Sequence, residues 1–401
     1  MKATILIVFS IFALMSISCD NYEISDIQAE SFMKFYGVGM KDEGMKVITT
    51  NDGYLIMGNV ENPGRGKDIC IIKTDKYGNS NQPVLTHGGL FEDYGRTIKA
   101  NNNGYIIAGY TRTSENADKD VYLLQVSESG EYIWDSIYGR SGDDEAYGVL
   151  VLDNENIVIT GYSESDDRIK EILFLETDPA GNIVNWNFIE DRPEDHVAFT
   201  IVKSGSKYMI AGYKNTEEVI STQPVRKIFV MRWTGDGPFD VNPAVNYIPE
   251  GTSSRVEAII PVTNNEYYLA CNVNELQTNT SSVYILKIDT LWNIQWQKSF
   301  GERDFNIISD FSIHDNSLCI GGTSVDNVVS ANTNVKGDLW ICKTSLTGEN
   351  VQYYYSGDGA SYIGKGFDHT ADGGFIITGS NITGDNSIIT LCKLNALGEL
   401  H

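Results

Sequence analysis

Short apolar runs separated by Asn, Asp and Gly turns recur along the chain from about residue 32 onward. Runs of this length bounded by turn residues predict β-strands. The clearest runs, most of which end in a glycine, follow one another at intervals of roughly fifty residues: Asp52–Gly58, Asn103–Gly109, Asn156–Gly161, Lys207–Gly212, Tyr267–Cys271, Leu318–Gly322 and Gly374–Gly379. Seven strand-rich copies are typical of propeller blades, so the chain is predicted to be an all-β, seven-bladed β-propeller.

Each copy has the pattern of four strands, which the second copy shows most clearly. Its predicted strands are Arg96–Ala100, Tyr105–Thr111, Asp120–Val126 and Glu131–Tyr138. The third strand is apolar through its middle, which indicates a sheet that packs on both faces. We therefore expect four-stranded antiparallel blades packed face to face.

The two ends of the array predict how the ring closes. The last copy stops before its fourth strand, whereas residues 32–37 form an extra strand before the first copy. This orphan segment, Phe32–Gly37, matches the fourth strand Trp134–Gly139 of the second copy. We expect it to be the outermost strand of the last blade, which would leave no exposed edge at the ends of the array.

The N-terminal segment has the layout of a bacterial export signal. Met1 and Lys2 precede an apolar stretch, and small residues precede Cys19. This order of segments predicts a lipoprotein signal peptide over 1–18 and a lipidated tether over 19–31, with Cys19 acylated. The propeller is predicted over 32–401. Ordinary cleavage after Ser18, releasing a soluble protein, is the alternative.

Charge and cysteine content narrow the range of partners. The formal net charge of −24 would repel a nucleic-acid backbone, so no nucleic-acid partner is expected. The five cysteines after Cys19 lie in apolar runs and are expected to be small buried hydrophobes. Because close Cys or His spacing is missing, no metal site is predicted, and we expect no cofactor.

The repeat resembles secreted bacterial propeller repeats with the units D-G-G-Y-I-I-A-G-Y-T, D-x-x-L-x-K-x-D-x-x-G and W-x-x-x-x-G over residues 32–401. Signal and repeat together resemble envelope lipoproteins of the Bacteroidota. The fifth copy departs from the pattern, with Cys271 in place of the strand-ending glycine and Trp292 in place of a turn glycine. The departure raises a question about local geometry in that copy.

Carboxylates recur just before the first strand of five copies, at Asp42, Asp93, Asp144, Asp195 and Asp304. A glycosidase needs two carboxyl groups at one sugar bond. A carboxylate repeated in so many copies is more simply a turn residue that accepts backbone hydrogen bonds. The chain carries no recognisable catalytic motif, so no catalytic residue is assigned.

Recognition is expected on the face that carries the loops between strands two and three, where Lys214–Arg226 and Thr323–Gly337 are longest. Three consecutive copies place a tyrosine directly after the marker glycine, and two polar residues follow nearby. The candidate partner-binding residues are Tyr110, Arg112, Tyr162, Asp166 and Tyr213. The alternative is that the tyrosines pack beneath their own loops.

These observations favour a lipid-anchored, non-enzymatic binding or scaffold protein of the bacterial cell envelope, held in the outer membrane and engaging a protein or a glycan through its loop face. Exposure at the cell surface and in the periplasm both stay open. The alternative function is a propeller enzyme that acts on polysaccharide through a carboxylate pair in the central funnel.

Overall fold

The computed structural model describes residues 31–37, 39–80, 82–189, 194–220, 223–234, 240–241, 251–263, 265–326, 337–357 and 361–400. Every regular element in these ranges is a β-strand, so the all-β prediction is confirmed. The predicted signal peptide and Cys19 lie outside the described residues. Within those ranges, no helix has the length and apolarity needed to span a membrane.

The strands, in chain order, are β1 (Phe32–Tyr36), β2 (Glu43–Thr49), β3 (Gly53–Asn62), β4 (Gly66–Asp75), β5 (Leu85–His87), β6 (Asp93–Asn101), β7 (Gly104–Thr111), β8 (Asp120–Val126), β9 (Tyr132–Tyr138), β10 (Asp144–Val151), β11 (Ile157–Glu164), β12 (Lys170–Thr177), β13 (Ile183–Ile189), β14 (His196–Ser204), β15 (Lys207–Ile220), β16 (Gln223–Trp233), β17 (Asp240–Val241), β18 (Thr252–Thr263), β19 (Glu266–Glu275), β20 (Thr280–Asp289), β21 (Ile294–Phe300), β22 (Phe305–His314), β23 (Ser317–Val325), β24 (Gly337–Ser345), β25 (Gln352–Ser356), β26 (Ser361–His369), β27 (Phe375–Thr383) and β28 (Asn386–Leu394).

Consecutive strands pair antiparallel in groups of four, which we call blades and number in chain order. Blade one holds β2–β5, and each following group of four forms the next blade, up to blade six with β22–β25. Blades five and six are joined by one parallel pair, Ser281 with Phe305, and the other blades are separate sheets. The predicted four-stranded antiparallel blades are confirmed.

Blade seven takes its strands from both ends of the described chain. β26, β27 and β28 follow one another, and β1 pairs antiparallel with β28, with Phe32 opposite Lys393 and Tyr36 opposite Ile389. The prediction that the N-terminal segment supplies the outermost strand of the last blade is confirmed for these residues.

Neighbouring blades are held together by side chains from facing sheets. The apolar cluster between blades one and seven combines Val47 and Ile56 with Ile376, Ile389 and Leu391, all nearly inaccessible to solvent. Comparable clusters lie between the other pairs of neighbours. Each fully buried aliphatic side chain stabilises the fold by about 1.5–3 kcal/mol, so blade stacking rests mainly on this packing.

A repeated contact joins the fourth strand of one blade to a glycine turn in the next. At the junction of blades two and three, the Trp134 ring packs against Gly181, where φ is +84° and a larger residue would meet the indole. Tyr138 Oη donates to the Gly181 carbonyl at 2.5 Å. The fourth-strand tryptophan therefore packs between blades.

The junction of blades seven and one repeats this contact. The Phe32 ring lies against Gly78, where φ is +73°, and Tyr36 Oη donates to the Gly78 carbonyl at 2.6 Å. β1 therefore makes the contacts of an ordinary fourth strand with the blade that follows.

Trp292 keeps the geometry of the turn glycine that it replaces. Its φ is +69°, close to the values at Gly78 and Gly181. A left-handed conformation costs a non-glycine residue about 1–2 kcal/mol. The indole offsets this cost by packing on the core between blades four and five, with Arg232 4.9 Å from the ring centroid. The departure in blade five leaves the backbone turn unchanged.

The prediction of a loop over Lys214–Arg226 is wrong for most of that range. β15 and β16 continue as a paired hairpin, with Asn215 opposite Arg226 and Ile220 opposite Gln223. Cross-strand pairing holds polar residues in strand conformation that their composition alone assigns to a loop. Most of the other predicted long loop, residues 327–336, lies outside the described residues.

The five described cysteines are free and buried, as predicted. Burial raises the pKa of Cys319 and Cys392 to about 12, so both are neutral thiols at physiological pH. They act as small apolar side chains of the core.

The recurring carboxylates act mainly as turn residues, as predicted. Asp42, Asp93 and Asp144 each accept a backbone N–H from three or four residues earlier, at 2.6–2.9 Å. Asp195 accepts the Lys170 N–H instead. Asp304 uses its main chain, since its carbonyl accepts the N–H of Ser281 at 2.9 Å.

Candidate functional site

The first strand of every blade contains a β-bulge at the same place. In β6, Gly95 pairs with Gly109 and Thr97 with Ala108, so Arg96 has no partner of its own. A bulge of this kind redirects a side chain out of the normal alternation. The seven bulge residues are Met45, Arg96, Tyr147, Phe199, Glu257, Ser309 and Lys365.

Residues at and just before these bulges come together from blades that are far apart in sequence. The amine of Lys365 in blade seven interacts electrostatically with Glu43 in blade one, Arg96 in blade two, and Arg255 and Glu257 in blade five. We call the space that these first strands surround the central channel. It collects charge from at least four blades.

Glu145 of β10 is the centre of charge pairing on the side of blades two and three. Its carboxylate is 2% exposed and accepts from Arg96 Nε at 2.6 Å and Lys119 Nζ at 3.1 Å. Tyr162 Oη donates to the same carboxylate at 3.3 Å. Two cations pair with this buried anion and a phenol donates a hydrogen bond to it, so the charge belongs to the packed structure.

Aromatic rings fill the same side of the channel. Tyr94 stacks on Tyr110 with ring centroids 5.4 Å apart, and Tyr147 lies 4.5 Å from Phe199. Phe199 in turn lies 5.9 Å from Tyr213. Since blades two, three and four supply all these rings, their side of the channel is occupied by their own side chains.

Blades five, six and seven leave a cavity of about 530 Å³ at the mouth of the channel. Its walls come from the first strands and from the ends of β23 and β24, on the face that carries the loops between strands two and three. The residues that line it are Arg255, Ile307, Ser309, Thr323, Val325, Gly337, Ser361, Tyr362, Ile363, Lys365 and Ile382. We call this cavity the mouth pocket. Its size suits a small organic ligand.

The three predicted tyrosines are buried in the walls of the channel. Tyr110, Tyr162 and Tyr213 are 5%, 3% and 8% exposed, and Tyr162 and Tyr213 share a cluster with Tyr147 and Phe199. Basic side chains cover their rings, with Lys119 Nζ 4.1 Å from the Tyr110 centroid. Their contact with a partner stays a prediction.

The other two predicted residues hold loops. Arg112 donates through Nη1 to the Ala117 carbonyl and lies beside Glu92, in a separate depression between blades one and two. Asp166 is exposed and accepts a hydrogen bond from Ser141. Glu92, which lies beside Arg112, also interacts with Tyr110.

Sequence reasoning missed the bulge residues and the mouth pocket. Their signal is a small residue placed before an out-of-phase side chain, as in Gly44-Met45, Gly95-Arg96 and Gly364-Lys365. Five copies have Gly or Ala before the bulge, whereas blades five and six have Val256 and Ile308, so this signal covers only part of the array.

The channel carboxylates are bound to cations. Glu43 is paired with Lys67 and accepts from Tyr94 Oη, and Glu257 is paired with Arg255. Burial alone would raise the pKa of Glu43, but Lys67 and Tyr94 outweigh it and hold that pKa below its usual range. A general acid needs a raised pKa. Glu43 therefore does not suit the acid role of a glycosidase.

Below the mouth pocket, two imidazoles from blades six and seven stack on each other. His314 and His369 have ring centroids 4.0 Å apart, and Ser312 Oγ lies 2.7 Å from His369 Nε2. Burial, then His314 and Lys343, lower the pKa of His369 to about 4, and Asp315 and Asp310 oppose this shift only in part. His369 is therefore neutral at physiological pH.

Comparison with known proteins bears on the fold alone. No family model matches the chain. No curated protein matches it either. Among solved structures, the phage phi92 endosialidase is 10% identical, with a TM-score of 0.50 over 91% of this chain and 69% of that one.

Two WD40 domains also match. That of Doa1, a β-propeller, is 11% identical with a TM-score of 0.48, covering 90% of this chain and 96% of that one. The Pan2 domain of Neurospora crassa is 12% identical with a TM-score of 0.48, covering 90% and 95%. At 10% identity and a TM-score of 0.50, the similarity to the endosialidase is one of fold alone.

Proposed function

We propose that this protein is a non-enzymatic binding protein of the bacterial cell envelope, anchored by lipid at Cys19, that captures a protein or glycan partner at the mouth of its channel. The observation that carries the proposal is the mouth pocket itself. It is a preformed cavity of about 530 Å³ on the face expected to recognise partners. The opposite side of the channel is filled by rings and paired charges.

Binding is favoured over polysaccharide hydrolysis because of how the channel carboxylates are held. Glu43, Glu145 and Glu257 are each paired with at least one cation. Two carboxylates with well-separated pKa values are needed for acid and nucleophile roles. The three channel carboxylates are instead held in ion pairs.

The membrane anchor rests on the sequence before the first blade. An apolar segment followed by small residues and Cys19 supports lipidation. Metabolic labelling with an alkyne fatty acid tests it. Label on the wild type and its loss in Cys19→Ala are expected, and equal label on both would contradict the anchor.

The binding proposal is tested by affinity capture from envelope membranes alongside a glycan array. Ile307, 36% exposed, lines the pocket, so Ile307→Trp should fill it. Ile313→Trp is the matched control, because Ile313 lies on the same strand with the same exposure but does not line the pocket.

The wild type and Ile313→Trp should capture the same partner or glycan, and Ile307→Trp should lose it while keeping its thermal midpoint. Capture that is equal for all three proteins would reject the mouth pocket as the binding site. Release of reducing sugar from a bound polysaccharide would reject the non-enzymatic function.

A further inference from the structure

The lining of the mouth pocket has the opposite charge to the rest of the protein. The chain has 54 acidic and 30 basic residues, yet the pocket is lined by Arg255 and Lys365 and by no carboxylate among the described residues. A random patch of this surface would be acidic. Two cations that converge on a cavity indicate an anionic ligand.

Lys365 has no counter-ion within ion-pair distance among the described residues. Burial lowers the pKa of its amine, Arg96 and Arg255 lower it further, and Glu43 and Glu257 compensate only in part. The ammonium form of Lys365 is therefore poorly solvated and poorly paired. An anion that enters the pocket would supply the missing partner.

Arg255 offers a second donor group in a fixed position. Its Nε is paired with Glu257, and Glu257 also accepts from Asn272 Nδ2 at 2.6 Å. The guanidinium lies 5.1 Å from the Phe199 ring centroid. Its two terminal nitrogens make no hydrogen bond to any residue that the structure describes. Because guanidinium geometry matches a carboxylate, these nitrogens are suited to bind one.

The remaining walls are aliphatic. Ile307, Val325, Ile363 and Ile382 line the cavity, and the hydroxyls of Ser309 and Thr323 are already hydrogen-bonded to the Gly364 main chain. A ligand body made of hydroxyl groups would find few free partners here. An apolar body would gain from burial against the isoleucines.

We infer that the mouth pocket binds a small amphipathic carboxylate, with the carboxylate between Lys365 and Arg255 and a short hydrocarbon part against Ile307, Ile363 and Ile382. The inference deepens the proposed function, because it names the chemical class that the same pocket recognises. A free small molecule has this chemistry, and so does a partner that ends in a carboxylate next to an apolar segment.

The inference is tested by isothermal titration calorimetry of the mature protein with three probes of equal chain length: octanoate, octylamine and 1-octanol. Octanoate is expected to bind at least about tenfold more tightly than either other probe, since only it pairs with both cations. Lys365→Met should weaken octanoate binding about tenfold, and Lys365→Arg should retain it.

The failure of this inference and that of the proposed function give different results. If octanol or octylamine binds as tightly as octanoate and Lys365→Met has no effect, the anionic class is wrong. If Ile307→Trp still abolishes partner capture, the mouth pocket remains the binding site. Absence of octanoate binding in a protein that captures a partner through this pocket would also overturn the carboxylate assignment. Octanoate binding that is about tenfold weaker in Lys365→Met and lost in Ile307→Trp, but kept in Ile313→Trp, establishes it.

Discussion

The two sides of the central channel are built from equivalent positions of the repeat. Aromatic rings fill the side formed by blades two to four, which we call the ring side, and the mouth pocket lies on the side formed by blades five to seven, which we call the pocket side. Directly after the marker glycine, blades two, three and four carry Tyr110, Tyr162 and Tyr213. At this position Asn272 and Thr323, in blades five and six, hydrogen-bond the first strand of the next blade. The larger rings fill their side, and the smaller side chains leave room on the other.

This difference shows how one scaffold separates stability from binding. On the ring side, the buried charge of Glu145 is fully paired. On the pocket side, no described residue forms an ion pair with Lys365, and burial lowers the pKa of its amine. A protein tolerates an unpaired buried charge at a functional position and compensates elsewhere. We therefore expect substitutions on the two sides to affect different measurements.

The largest effect on stability is expected at Glu145. Glu145→Gln removes the anion that pairs with Arg96 and Lys119 and should destabilise the fold by about 3–5 kcal/mol, the usual cost of breaking a buried ion pair. Glu257→Gln, whose partner Arg255 is more exposed, should cost about 1 kcal/mol. Urea unfolding measures both, and equal losses would remove the proposed difference between the sides.

Tyr162→Ala is expected to destabilise by about 3 kcal/mol, because a buried ring is lost from the cluster with Tyr147 and Phe199. Tyr162→Phe should cost only about 1 kcal/mol, since the ring stays. At the equivalent position of blade six, Thr323→Ala should also cost about 1 kcal/mol. If Tyr162→Ala were stable but lost partner capture, the ring would be a contact residue, as first hypothesised.

Acid should destabilise the pocket side through His369. Its pKa is about 4 in the folded protein against 6.5 ordinarily, so between these values the unfolded state binds more protons and stability falls as the pH is lowered. With partial exposure considered, the loss from pH 7 to pH 4 is about 1–2 kcal/mol. His369→Gln should remove this part of the pH dependence in urea unfolding. An unchanged slope in the variant would exclude His369 as its source.

The smallest effect has the opposite sign. Lys365→Met should raise stability by up to about 1 kcal/mol, because methionine fits an apolar site without a charge to desolvate. The same variant should bind octanoate about tenfold more weakly. A destabilised Lys365→Met variant would show that the ammonium contributes to the fold, contrary to the role inferred for it.

Most of the fold was predictable because each blade repeats local signals. In blade two, the predicted strands differ from β6–β9 by a few residues at most. β1 was recognised because Phe32–Gly37 copies the fourth-strand pattern. The hairpin that continues through Asn215 and Arg226 was missed, since its polar residues have no apolar alternation and depend on pairing with each other.

The site was predictable only in part. The tyrosine position was singled out as a candidate contact, but the burial of its rings depends in part on side chains from neighbouring blades. Lys365, Arg255 and Arg96 belong to three blades and meet only in the folded channel. The bulges at Arg96 and Lys365 interrupt the two-residue alternation of side chains from which strands are predicted. No local pattern could place them together.

The pairing of β1 with β28 has a consequence for how the protein is made. Phe32 and Lys393 are roughly 360 residues apart, and closing a segment of that length is entropically costly and slow. A ribosome delivers β1 first and its partner last. The pairing of β1 with β28 therefore forms only after β28 has been synthesised. Blade seven, which contains the strand nearest the predicted anchor, is therefore the last blade to be completed.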